Sequence, residues 1–79
     1  MEIYKDRGND SGVLGYHIGN GFIDVIFKNH ILYRWTDSSA GPQRVKEMIR
    51  LARFGQGLNR YITTEVRNQF AARRYWRPA

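Results

Sequence analysis

Cysteine is absent from this chain of 79 residues. That excludes disulfide staples, thiolate metal sites and a cysteine nucleophile, and it leaves the cytoplasm as the default compartment. Long apolar runs are missing as well. No stretch approaches the roughly 20 apolar residues of a membrane span, and the N-terminal MEIYKDRGNDSG lacks the apolar core of a signal peptide. The expectation is a soluble, unexported protein with no membrane partner. No repeat or low-complexity tract appears.

Recognisable catalytic machinery is missing too. There is no Gly-x-Ser-x-Gly elbow and no phosphate-cradling glycine loop with its lysine, so no nucleophile has an evident activator. Two histidines and a few scattered carboxylates show no zinc or calcium spacing. His17 and Asp24 fall opposite each other on adjacent predicted strands, where a carboxylate can orient an imidazole. Without a third partner they read as a cross-strand polar pair. The turn Gly55-Gln56-Gly57 could hold a phosphate at a helix start, but it reads first as a joint between helices. A non-enzyme with no catalytic residue, no metal and no cofactor is expected.

Acidic residues are scarce relative to basic ones, 7 against 13, for a net charge of +6. Ten of the basic residues are arginine, whose planar fork suits phosphate and carboxylate and stacks on flat rings. From Arg44 to Arg77 nine basic residues meet two acidic ones, so the second half carries nearly all the excess. Solubility alone can account for such a charge. An anionic partner is the other reading.

What the chain does have is apolar and aromatic mass, 42% and 14% of its residues, enough for a folded core. At this length a single domain is expected over 1–79, with a core at about 11–72, a polar lead-in at 1–10 and a basic aromatic tail at 73–79. Within the lead-in, Ile3 and Tyr4 are suited to dock on a sheet edge. Val13 to Thr36 reads as three short strands. Asn20-Gly21 suits a two-residue type I′ turn, which opposes Ile18 to Ile23, Tyr16 to Val25 and Leu14 to Phe27. A three-residue loop at Lys28-Asn29-His30 would pair Val25 with Tyr33 and Ile23 with Trp35, adding large residues to the same face. The opposite face then carries Val13, His17, Phe22, Asp24, Ile26, Leu32 and Arg34.

A connector, Asp37 to Gly41, leads to Pro42 in a first helical turn. Val45, Met48, Ile49 and Ala52 then line one face of a helix ending at Phe54, with Gly55 as its left-handed stop. A second helix is expected from Leu58 to about Ala72, with Leu58, Tyr61, Ile62, Val66 and Phe70 on one side. The fold class is α+β, a three-stranded antiparallel meander followed by two helices on one face.

Leu14-Gly15-Tyr16, Ile23-Asp24-Val25, Phe27-Lys28-Asn29, Tyr33-Arg34-Trp35 and Gly57-Leu58-Asn59-Arg60-Tyr61-Ile62 occur in this order around the amphipathic helix. In this the chain resembles the KTSC domain, a small bacterial and phage module also found at the C-terminus of some lysyl-tRNA synthetases. The resemblance covers roughly residues 11 to 70. Trp35 stands where the family's Tyr-x-Tyr hallmark, here begun by Tyr33, has its second tyrosine. His30 replaces the usual turn glycine after Asn29, which favours the longer loop. The resemblance implies a three-stranded sheet with two helices and, from the synthetase setting, RNA binding without an established activity.

Three binding readings follow. Arg34, Arg50, Arg53, Arg60 and Arg67, with Arg73, Arg74 and Arg77, supply charge for phosphates. Tyr61, Tyr75 and Trp76 supply rings for bases, as in RNA and single-stranded nucleic acid recognition. Tyr33 and Trp35 are core residues under the long-loop register and an exposed stacking platform under a shorter one. A second reading is a homo-oligomer, most simply a dimer, through Val13, Phe22, Ile26 and Leu32, since two helices cover one sheet face and leave these bare. A third, suggested by the family's phage occurrence, is capture of a phosphorylated small molecule in arginine-lined pockets between subunits.

Overall fold

The structure, a computed structural model, describes residues 1–8 and 11–77. Strands β2 (Val13–Gly19) and β3 (Phe22–Phe27) meet at Asn20-Gly21 with Ile18 opposite Ile23 and Tyr16 opposite Val25. The turn is not type I′. Among the described residues positive φ outside glycine occurs at Asp6 and His30, so Asn20 keeps negative φ and Gly21, at 79°, alone turns left-handed. A bulge between Val13 and Gly15 pairs Val13, not Leu14, with Phe27. The extra residue reverses the face, and Val13 enters the core rather than the opposite side.

The second turn takes three residues, and β4 (Ile31–Thr36) pairs Tyr33 with Val25 and Trp35 with Ile23. His30 adopts φ 67° and donates its amide to Phe27 O at 2.8 Å, while Asn29 Oδ1 accepts the Ile31 amide at 3.1 Å. The asparagine side chain stands in for a missing backbone partner.

The sheet has five antiparallel strands in the order β1-β2-β3-β4-β5, two more than the sequence pattern predicts. Strand β1 (Glu2–Ile3) docks on β2, and Tyr4 beyond it is buried. Strand β5 (Ala72–Tyr75) closes the other edge against β4, where a helical end and a loose tail were expected. The backbone locks it at both ends, Ala71 N to Arg34 O at 2.6 Å and Trp76 N to His30 O at 2.7 Å. All four β5 side chains are exposed, so no apolar alternation announces the strand.

Helix α1 (Asp37–Ala40) is one turn held by a reciprocal capping box between Thr36 and Ser39. Helix α2 (Pro42–Phe54) begins on its proline and stops at Gly55, φ 87°. Helix α3 (Leu58–Tyr61) widens into a π-helical turn at Ile62–Val66 and ends there, short of the expected Ala72. Val45, Met48 and Ala52 from α2 pack with Leu58, Ile62 and Val66 against Tyr16, Ile23, Val25 and Trp35. Each fully buried aliphatic side chain in such a layer contributes about 1.5–3 kcal/mol.

The outer sheet face overturns the expected oligomer surface. Ile26 and Leu32 are 1% and 5% exposed within a single chain, and Val13 lies in the inner core. Phe22 is half-buried, its ring 4.0 Å from the Arg34 guanidinium carbon. Arg34 reaches Asp24 in a two-pronged pair at 2.7 and 3.0 Å, and Met1 lies against Gly15, the cross-strand partner of Ile26. No bare apolar patch remains at these four residues. His17 stands opposite Asp24 as the pattern requires, yet at 3.7 Å it is the outer member of a carboxylate already committed to Arg34.

Candidate functional site

Where the β3–β4 hairpin end meets the π-helical turn, the inner face opens into a groove of about 490 Å³. Its aromatic lining is Phe27, Tyr33 and Phe70, each half-buried, with Trp35 beneath. Tyr33 meets Phe70 edge-on at 4.9 Å and Phe27 edge-on at 5.6 Å, and it stacks on Trp35 at 5.7 Å. Tyr33 and Trp35 therefore part company. Trp35 is core, 1% exposed, its indole N–H donating to Val66 O at 2.9 Å. Tyr33 is the groove's wall.

Asn29, Asn59, Thr63, Arg67 and Asn68 supply the polar lining, with Lys28 at the hairpin end. Thr63 and Asn29 are satisfied locally, Thr63 Oγ1 by Asn59 O and Asn29 Oδ1 by the Ile31 amide. The side-chain amides of Asn59 and Asn68 meet no protein partner among the described residues. Arg73 flanks the groove, its Nε donating to the Tyr33 hydroxyl at 3.0 Å and its guanidinium 5.7 Å from that ring.

The expected cation surface divides into used and unused charges. Arg34 is held by Asp24, a hydrogen bond that raises its pKa while burial opposes the rise. Arg50 is held by Glu47 at 2.9 and 2.6 Å, which raises the arginine and lowers the carboxylate, the hydrogen bond being the main cause in both. Lys28 lies 3.5 Å from Asp6. By contrast Arg67, Arg73, Arg74 and Arg77 pair with no carboxylate among the described residues. Strand alternation also separates neighbours. Arg73 lies opposite Tyr33 on the groove face, and Arg74 lies opposite Leu32 on the outer face.

The remaining predicted residues scatter. Arg53 is exposed in the last turn of α2, and Arg60 lines a smaller cavity of about 320 Å³ beside Tyr4 and Gly57. Tyr61 packs half-buried against the core, and burial, followed by Glu65 and Glu47, pushes its phenol pKa up, with Arg44 opposing. Tyr75 is 59% exposed with the Arg77 guanidinium 5.7 Å from its ring, and Trp76 sits half-buried at 6.0 Å from the His30 ring. The structure therefore brings Tyr33, Arg67 and Arg73 together and leaves Arg34, Arg50, Arg53 and Arg74 apart.

Phe27, Phe70, Asn59 and Asn68 belong to the groove without having been singled out from the sequence as ligand-binding residues. Phe27 and Phe70 carried a signal, since both occupied predicted apolar faces at their ends, where cover runs out. The asparagines carried none. Among the described residues no cluster of three or more His, Asp or Glu side chains is placed to hold a metal, and no helix is long and apolar enough to cross a membrane. Compared with models of protein families, with curated proteins and with solved structures, the chain finds no match.

Proposed function

We propose that this chain is a small KTSC-like, non-enzymatic module that binds RNA or other single-stranded nucleic acid at the groove. The observation that carries the reading is the union of half-buried rings with cations that no carboxylate neutralises among the described residues. Unstacked bases bury against aromatic faces, while phosphates recruit free guanidinium groups. Arg67 and Arg73 serve the site directly, and Arg77 with Tyr75 extends it along the sheet edge. Arg50 and Arg34 contribute little, because their charge is already met.

Fluorescence anisotropy of a labelled single-stranded RNA at two salt concentrations tests the reading. Two to four phosphate contacts predict a log–log salt slope of about −1.4 to −2.8. Binding that ignores salt overturns it. A phosphorylated small molecule is the second reading, favoured by a groove volume within the range of ordinary ligand pockets. A nucleotide panel in thermal-shift measurements separates the two, since a tight small ligand raises the melting temperature by mass action.

A further inference from the structure

We infer that the groove accepts one unpaired base at a time, its edge against Asn59 and its phosphate between Arg67 and Arg73. This rests on the proposed nucleic-acid function and narrows it to a single-nucleotide pocket. Size gives the first argument. A concavity of about 490 Å³ has room for one base with its sugar. A duplex keeps its base faces stacked inside, so a ring reaching Phe27, Tyr33 and Phe70 must already be unpaired or be swung out.

Shape gives the second. Tyr33 and Phe70 stand at 76° to each other, so they form a corner rather than a continuous platform. A flat ring entering that corner meets a face on one wall and an edge on the other, both favourable aromatic geometries. A row of coplanar rings would serve successive bases. A corner serves one.

Polarity gives the third. Asn59 is half-buried between the groove and the smaller cavity, lining both, and its side-chain amide has no hydrogen-bond partner in the protein among the described residues. Its adjoining donor and acceptor match the adjacent donor and acceptor on a base edge. Charge completes the arrangement. Arg67 lines the groove, and Arg73 is steadied by the Tyr33 hydroxyl, its remaining guanidinium donors meeting no partner among the described residues.

The test uses the full chain and four-nucleotide RNAs carrying four bases, one base with three abasic sites, or none. Anisotropy should place the one-base oligomer within about threefold of the four-base one, and the fully abasic oligomer about tenfold to a hundredfold weaker, the range that one stacked base supplies. Asn59→Ala should weaken the one-base oligomer about three- to tenfold and leave the abasic one unchanged, as expected for a lost base-edge hydrogen bond. Arg74→Ala, on the opposite face, should leave the ratio between the two oligomers unaltered. Equal binding of abasic and base-bearing oligomers overturns the single-base pocket and leaves the broader function standing on charge alone. Affinity that climbs evenly with each added base also overturns it, in favour of an extended platform. If no oligomer binds, both readings fall together.

Discussion

The indole N–H of Trp35 donates to the carbonyl of Val66 at 2.9 Å, tying the C-terminal end of β4 to the end of the π-helical turn. The same carbonyl accepts the Gln69 amide at 2.9 Å, so the indole is its second donor and meets its remaining lone pair. The bond gives the tryptophan a role beyond bulk.

Trp35→Phe should therefore cost about 1–3 kcal/mol, the sum of one lost buried hydrogen bond, its acceptor still held by the Gln69 amide, and lost ring volume. Urea denaturation measures it. A loss below about 0.5 kcal/mol would show that the Gln69 amide suffices for the carbonyl and that the indole serves as bulk alone.

Asp24 is buried and Arg34 partly open, with side chains 5% and 37% exposed. Breaking a fully buried pair costs about 3–5 kcal/mol, and solvent at the guanidinium reduces this, so Asp24→Asn should destabilise by about 1–3 kcal/mol. The same variant should release Arg34 from the Phe22 ring, visible as a shift of the Phe22 ring protons. An unmoved ring would mean that stacking, not the carboxylate, positions the guanidinium.

Gly15 lets β1 approach, because a Cβ there would lie 2.6 Å from the Glu2 carbonyl oxygen. Gly15→Ala should push β1 off the sheet at a cost of about 1–3 kcal/mol. The Tyr4 amide, which donates to Leu14 O at 3.1 Å, reports the change. Its hydrogen exchange should accelerate while the β3 amides keep their protection.

Glu47 titrates below the ordinary glutamate range because Arg50 hydrogen-bonds its carboxylate. With the folded value beneath the unfolded one, the pair's contribution is present above the unfolded pKa and disappears as pH falls through the folded value. An NMR titration should place the carboxyl midpoint low, and Arg50→Gln should return it to the usual range. A midpoint unmoved by Arg50→Gln would assign the shift to another cause.

Much of the sheet was legible in the chain because side-chain period and turn chemistry are local. Asn20-Gly21 and Lys28-Asn29-His30 set the register that places Tyr33 opposite Val25 and Trp35 opposite Ile23, and Pro42 and Gly55 bound α2 where expected. The bulge at Val13 was not legible, since one inserted residue changes no composition yet turns a side chain to the other face. Nor was β5. Ala72 to Tyr75 are held by backbone hydrogen bonds to β4, and backbone groups are the same in every sequence.

By itself the sequence determined the inner layer, because apolar spacing must match helix and strand periods for that layer to exist at all. Tertiary structure decided which rings and charges remain available to a partner. Burial placed Trp35 inside and Tyr33 at the groove, and ion pairing neutralised Arg34 and Arg50 while Arg67 and Arg73 stayed without a carboxylate partner among the described residues. Both outcomes depend on residues distant in the chain arriving at one place, and no local pattern encodes that arrival.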